Sequence, residues 1–584
     1  MATIGGMVAS FADAQGAGLH PIDYSILAIY LVFVIGIGFA LKRYTKSAED
    51  FFLSGRSIPG WVTGLAFISA NLGAQELIGM AASGAEYGIM TSHFYWVGAI
   101  PAMVFLGIFM MPMYYGSKAR SVPEYLKMRY DERTRTFNSI SFAFMTIFSS
   151  GISMHALADL LNTLLGWNYT LSLVITSAIV LAYVLKGGLS SAIYNEVLQF
   201  FMIVLGIAPL AFIALKDVGG WEGLVHKIGA LGPAEAGRMH SWAQTGGTEN
   251  PLGVPWYGIL FGLGFVLSFG YWCTNFAEVQ RALAANSMGA ARRTPIIGAI
   301  PKMLFPAIVI LPGMIAYGLT SDHVAGGYSI PLKLNETTQL METNYNQVLP
   351  SMIFHYFPNG LLGLALTALM ASFMSGMAAN VTAFNTVWTY DIYQHNFGKG
   401  KTDADLLRMG KLATVVGIVL AIGCAFVAAK YNNIMSILQL VFGFVNAPLF
   451  ATFLLGMFTR RSNNTGSFWG LVTGTTTAVL FHGLCFATGN AAGVKGGWIK
   501  PMIEFPKEMS QGFWVAIVAF SVTFIVNAVL SLATQRNKSD DELRGLVYSL
   551  TEKHDYSKDS WIARPAVLGS FVMVAALVLN WLFW

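Results

Sequence analysis

What most constrains the fold of this 584-residue chain is a run of apolar residues that recurs from one end of it to the other, each copy long enough to cross a bilayer. A helix rises about 1.5 Å per residue and needs about 20 apolar residues to span roughly 30 Å of hydrocarbon. Fourteen such runs lie near residues 24–41, 60–84, 93–115, 137–164, 169–185, 193–215, 254–275, 294–318, 350–386 (with a lead-in), 411–429, 434–458, 465–488, 512–535 and 563–584. Charged residues make up 11% of the chain, against about 25% in soluble domains. In lipid every backbone N–H and C=O has to find its partner within the segment, which a helix does. The fold expected is therefore an all-α integral membrane protein with about fourteen transmembrane helices. The first run is the one place where a cleaved signal peptide competes, but no Lys or Arg precedes it, so it reads as a retained helix.

Basic residues set the orientation, because they concentrate in inside loops. With the N-terminus outside, inside loops carry 26 of the 35 Lys and Arg residues, outside loops carry 8, and Lys302 lies within a span. A multi-pass plasma membrane (bacterial inner membrane) protein with both termini outside is expected. The net charge of +5 then anchors the inner face on anionic lipid, and no basic patch interleaved with aromatics points to nucleic acid. Cys273, Cys424 and Cys485 fall in apolar runs without metal or redox spacing. No His-Glu-x-x-His, Gly-x-Ser-x-Gly or phosphate-cradling loop occurs. The longest polar stretches, 217–253, 319–349 and 536–562, are too short for a catalytic domain, so no enzyme is expected and function resides in the membrane part.

Three features stand out inside the membrane. Lys302 lies within the apolar stretch 296–317, where a charge costs about 3 kcal/mol on insertion scales and so faces a polar cavity. The second run contains Ala70-Asn71-Leu72-Gly73-Ala74-Gln75-Glu76, and the seventh ends in Gly270-Tyr271-Trp272-Cys273-Thr274-Asn275. These polar interruptions are five segments apart, so units of five helices starting at each would face opposite ways. Interrupted helices at matching places of an inverted repeat mark a transporter's binding site, because unwound backbone there coordinates ion and solute. Either patch alone also fits small and polar residues that help helices pack.

Several stretches carry a specific likeness: SANLGAQELIGMAASG from Ser69, SVPEYLKMRY from Ser121, KGGLSSAIYNEVLQ from Lys186, YWCTNFAEVQRALAA from Tyr271, PKMLFPAIVILPGM from Pro301 and GSFWGL from Gly466. In order and spacing over residues 20–535 the chain resembles the sodium/solute symporter family, and most of all its sodium/glucose cotransporter branch. The resemblance implies a leucine-transporter-type 5+5 inverted-repeat core with discontinuous helices. Residues 1–58 would form the N-terminal segment with a first flanking helix and 59–460 the core, with repeats 59–216 and 253–460. Residues 461–584 would hold flanking helices 12–14, with a cytoplasmic linker at 536–562. It further implies sodium-coupled import of a monosaccharide such as glucose or galactose by alternating access, with sodium as coupling ion and no bound cofactor. The alternatives are a same-fold symporter for myo-inositol, sialic acid or a monocarboxylate, proton coupling, or, in a different class, an uncoupled facilitator or solute sensor. The lipid bilayer is a partner, and oligomeric state leaves no mark in the sequence.

Residue by residue, the resemblance places Asn71, Asn275, Lys302 and Gln439 on sugar hydrogen-bonding positions, and amides and a lysine suit hydroxyls that need both donors and acceptors. Tyr271 and Trp272 match the aromatic pair that flanks the sugar and gates it from the cytoplasm. Glu76 replaces the branch's glutamine or histidine and is expected to pair with Lys302 when the site is empty. Tyr95 and Gly98 stand where a bacterial galactose transporter of this branch offers a glutamate and a serine. For sodium, the resemblance implies carbonyls of Ser69, Leu72 and Ser372 and the hydroxyl of Ser375, while Gly376 falls on a second family serine. One side-chain ligand is thus missing unless water, the Ser372 hydroxyl or another group replaces it. Glu196 falls on a family aspartate that influences cation coupling; it reads either as a relay or second cation ligand or as the partner of a nearby arginine, and Asp159 and Glu278 are open in the same way.

Overall fold

The structure, a computed structural model, describes residues 19–41, 47–320, 328–334, 340–395, 397, 400–431, 433–552 and 560–584. Expectations for residues 1–18, for 42–46, 396 and 398–399 of the predicted inside loops and for 553–559 of the linker lie outside the described residues. The apolar runs are helical over most of their length, and the twelfth ends in the short strand Cys485–Ala487. The principal helices are α1 (Pro21–Leu41), α2 (Gly60–Asn71), α3 (Gln75–Ser92), α4 (Phe94–Gly116), α5 (Glu132–Leu165) and α6 (Tyr169–Asp217). They continue with α7 (Gly258–Thr274), α8 (Phe276–Leu283), α9 (Met288–Lys302), α10 (Pro306–Thr320), α11 (Leu361–Gln394) and α12 (Asp403–Ala428). The set ends with α13 (Ile434–Phe458), α14 (Asn464–Leu484), α15 (Glu508–Ala533) and α16 (Pro565–Leu582). Among the described residues nine helices are long and apolar enough to cross a membrane, and three bent pairs pass the same test together. The other two predicted runs are the short apolar stretch Tyr169–Ala182 and α14, which is interrupted by Thr and Gly.

Both predicted interruptions are real breaks. The chain turns by 62° between α2 and α3, where Leu72 leaves helical geometry at ψ 45° and Gly73 follows. It turns by 48° between α7 and α8 at Asn275, whose extended backbone ends one helix while its Oδ1 accepts from Ala277 N–H at 3.0 Å and caps the next. A third bend, of 41°, separates α9 from α10 and was not anticipated from the sequence. Its cause is Pro301 and Pro306, which lack an N–H and whose rings clash with the preceding turn. Lys302 is the last residue of α9, so it stands at this bend.

Two boundaries differ from the sequence reading. Runs five and six form one helix kinked at Gly188, whose φ of +56° and proximity to Phe51, with a Cβ only 2.6 Å from that carbonyl oxygen, admit glycine alone. Run nine is two elements: a short helix at Val348–Tyr356, then α11. Asp23 of α1 determines where α11 starts, its Oδ1 accepting from Gly360 N–H and Gly363 N–H at 2.7 Å each. One flanking helix is thereby pinned to the buried centre, because α11 packs against α5 and α6 and is buried along nearly all of its length.

The bent pairs are drawn together by glycine. Where α3 meets α10, a Cβ on Gly313 would lie 2.1 Å from the Ala81 oxygen and one on Gly84 2.4 Å from the Ile310 oxygen, the close backbone approach small residues allow. Gly313→Leu is expected to force the pair apart and lower the Tm in detergent by several degrees, at about 1–3 kcal/mol or more. Gly36→Ala, with nothing within 4 Å, should leave it unchanged. Equal melting of the two variants would refute this account of the contact.

Candidate functional site

The breaks in α2/α3, α7/α8 and α9/α10 converge on one narrow cavity of about 50 Å³, smaller than the roughly 300–1,000 Å³ of small-molecule pockets, so a solute enters it only as its walls move apart. Asn71, Glu76, Tyr95, Tyr271, Trp272, Lys302 and Gln439 all line it. Asn275 does not: its side chain is committed to capping α8. Lining residues that motif matching missed include Gln75, Ser268, Met435 and Phe442. Met435 and Phe442 were accessible from Gln439, since offsets of four and three place all three on one face of α13.

Lys302 and Glu76 are only 3% exposed each, and Nζ donates to Glu76 Oε1 at 2.5 Å. The same ammonium donates to Asn71 Oδ1 at 2.5 Å, Asn71 Nδ2 donates to the Tyr271 hydroxyl at 3.1 Å, and Tyr271 donates to Glu278 Oε1 at 2.7 Å. A continuous hydrogen-bonded chain therefore runs from the cavity centre to a buried carboxylate on α8. The aromatic walls are tightly set: Tyr271 lies edge-on to Trp272 at 5.2 Å and 4.8 Å from the Phe442 ring, and Lys302 Nζ stands 4.8 Å over Tyr95 and 5.3 Å over Trp272. The Tyr95 hydroxyl is buried without a partner. At Gly98 a Cβ would sit 2.2 Å from Ser268 Oγ, so a hydroxyl from α7 fills the space beside the glycine.

The second cluster lies where α11 crosses the first break. Ser375 Oγ donates to the Ser69 carbonyl at 2.9 Å and is 3.4 Å from Ser69 Oγ; Ser372 Oγ donates to the Leu72 carbonyl at 2.6 Å. All four residues are fully buried. An oxygen set of this kind suits a hard cation, which would replace these hydrogen bonds once the hydroxyl protons turn away. Gly376, beside Ser375, contributes no side chain. Glu196 is fully buried and its carboxylate is taken by Arg281 of α8, which also donates to the Ala277 carbonyl at 2.9 Å. Asp159 accepts from Gln347 Nε2 at 2.6 Å.

Comparison with known proteins agrees with this architecture. Residues 51–474 match the sodium:solute symporter family model. The sodium/glucose cotransporter of Vibrio parahaemolyticus is 28% identical over 97% of this chain and 99% of its own length. Human sodium/glucose cotransporter 4 is 30% identical over 79% of this chain and 69% of its own. A solved Na+-coupled sialic acid symporter, in a substrate-bound outward-open state, superposes with a TM-score of 0.71 at 20% identity over 89% of this chain and 99% of that one. A nucleobase-cation-symport-1 family transporter in a closed conformation gives a TM-score of 0.51 at 13% identity over 85% and 97%. These structural likenesses show the fold, the inverted-repeat membrane transporter architecture with broken helices.

Removing one member of a buried ion pair strands the other, at about 3–5 kcal/mol. Lys302→Ala is therefore expected to lower the Tm in detergent well below that of the double variant Lys302→Met/Glu76→Gln, which removes both charges at similar volume. A single variant as stable as the double would show that the pair is not energetically coupled.

Proposed function

The chain belongs to the sodium:solute symporter family, and from that premise we propose that it imports a monosaccharide or similar neutral polyol by alternating access, driven by sodium. The observation that carries the substrate class is the Lys302–Glu76 pair at the centre of the cavity. With Glu76 answering Lys302, the pocket offers no uncompensated cation to an anionic solute, whereas a sugar hydroxyl can accept from the ammonium and donate to the carboxylate. Asn71 and Gln439 add amide donors and acceptors, and Tyr271 and Trp272 give flat apolar faces for the C–H side of a pyranose. A carboxylate at position 76 and tyrosine at 95 make a pocket different from that of the galactose transporters, so selectivity among sugars follows these two residues.

Coupling follows from the second cluster. Sodium is assigned to the Ser69 and Leu72 carbonyls, with Ser372 and Ser375 from α11, so the ion ties the first break to the buried central helix. One charge moving inward yields about 2.3 kcal/mol per 100 mV, roughly fifty-fold in solute concentration. Solute and gate share hydrogen-bonding groups: a hydroxyl that takes Lys302 Nζ competes with Asn71, which also holds Tyr271 in place. Glu196, through Arg281, links α6 to α8 beneath this gate and is assigned to the coupling of cation and gate movements. In this reading the core comprises 59–460 with repeats 59–216 and 253–460, in a plasma membrane with both termini outside.

In proteoliposomes, an inward sodium gradient should drive concentrative uptake of a neutral hexose, and an excess of sialic acid or a monocarboxylate should not compete. Ser375→Ala should abolish the sodium stimulation while leaving sodium-free counterflow measurable. Lys302→Ala should weaken hexose binding about ten- to a hundred-fold, the worth of a charged hydrogen bond. Sodium-independent uptake in the parent, or preference for an anion, would overturn the reading.

A further inference from the structure

Beside Gly376, next to the cation cluster, lies a hydroxyl that no neighbour uses. A Cβ built on Gly376 would lie 3.0 Å from Gly73 Cα, in the first break, and 3.1 Å from Ser153 Oγ, which reaches in from α5. Ser153 is fully buried and its Oγ has no hydrogen-bond partner. Ser139, Ser141 and Thr146 of the same helix return their hydroxyls to carbonyls one turn back at 2.8 to 3.0 Å, whereas Ser150 and Ser153 do not; of these two, only Ser153 is among the atoms that a Cβ at Gly376 would meet. A buried hydroxyl without a partner costs about 1–3 kcal/mol. Such a group is retained at little cost when something occupies its lone pairs part of the time.

The position of this orphan identifies the occupant. Gly73 directly follows Leu72, whose carbonyl is one of the assigned cation ligands, and Gly376 directly follows Ser375, which supplies the side-chain ligand. Ser153 Oγ therefore borders the space that a serine side chain at 376 would enter. We propose that Ser153 supplies from α5 the side-chain oxygen that Gly376 lacks, completing the sodium site with a ligand from a third helix. This rests on the sodium-coupled reading given above. The chemistry favours the arrangement: Ser372 and Ser375 must each give up a hydrogen bond to a carbonyl to turn a lone pair toward the ion, whereas Ser153 has none to give up. The ion then bridges α5 as well as α2 and α11, so its binding is felt by a helix that carries no backbone ligand. The crowding also explains why Gly376 holds glycine: a side chain there meets Gly73 and Ser153 at distances that demand a shift of a few tenths of an ångström.

Thermal melting of the purified full chain in detergent, titrated with NaCl against KCl at constant ionic strength, reads the site without transport. The parent should show a sodium-specific rise in Tm. Ser153→Ala should raise the half-maximal sodium concentration about tenfold, with its Tm in KCl unchanged or slightly higher because an unsatisfied hydroxyl has gone. Ser153→Thr, which keeps the hydroxyl at this position, should stay closer to the parent than Ser153→Ala does. Ser150→Ala, which removes another buried partnerless hydroxyl from α5, should titrate like the parent. A Ser153→Ala protein that titrates like the parent, or a Ser150→Ala defect of equal size, would each overturn the proposal while leaving sodium coupling intact. A parent without any sodium-specific shift would overturn both.

Discussion

A single buried ion pair organises the functional centre of this protein. Lys302 and Glu76 come from two different bent segments, and neither charge is tolerable at membrane depth without the other. Their pairing requires the end of α9 to sit against the turn that opens α3, which in turn requires the glycine contacts between α3 and α10. The pair also explains why the cavity can be polar and yet closed to water on most sides: every strong charge in it is answered within hydrogen-bonding distance. What remains to be filled are partly satisfied groups, such as the Tyr95 hydroxyl and the Gln439 amide, whose nitrogen has found only a thioether, Met435 Sδ, at 3.2 Å.

From this pair a hydrogen-bonded chain leads outward through Asn71 and Tyr271 to Glu278. In the proposed function, solute and gate would draw on the same donors and acceptors, and occupancy would change the hydrogen bonds that hold an aromatic residue in place. The cation cluster meets the same break from the other side, where Leu72 presents a carbonyl that takes the Ser372 hydroxyl and the Ser69 carbonyl accepts from both Leu72 N–H and the Ser375 hydroxyl. If solute and cation bind as proposed, the two sites share one break in one helix and are not filled independently, since whatever orders the break for one ligand alters it for the other.

At both places a hydroxyl from a facing helix lies beside a glycine that the resemblance aligns with a serine: Ser268 of α7 beside Gly98, and Ser153 of α5 beside Gly376. A residue-by-residue reading along the chain registers only the missing side chain, because the neighbouring hydroxyl is more than 100 positions away in sequence. Motif matching compares like with like at one position and cannot register a group delivered from a facing helix.

Hydrophobic run length and polar interruptions were enough to establish from sequence a helical membrane protein, two of its broken helices, the inverted relation between them and the burial of Lys302. These are properties of local composition, since the cost of exposing backbone or charge to hydrocarbon is charged residue by residue wherever the chain lies. The proline bend beside Lys302 was also written locally, in Pro301 and Pro306, but it was masked by the apolar run around it. Asn275 capping α8 and Tyr271 resting on Glu278 are local to the second break, but that they do this instead of leaving Asn275 in the cavity depends on the exact geometry of that break. Other partners are distant: that Glu196 meets Arg281 of α8, that Asn71 meets Tyr271 and that Ser153 stands beside Gly376 follow from how the helices cross. Packing brings together side chains hundreds of residues apart, at separations where one ångström decides whether a hydrogen bond exists, and no spacing along the chain encodes that distance.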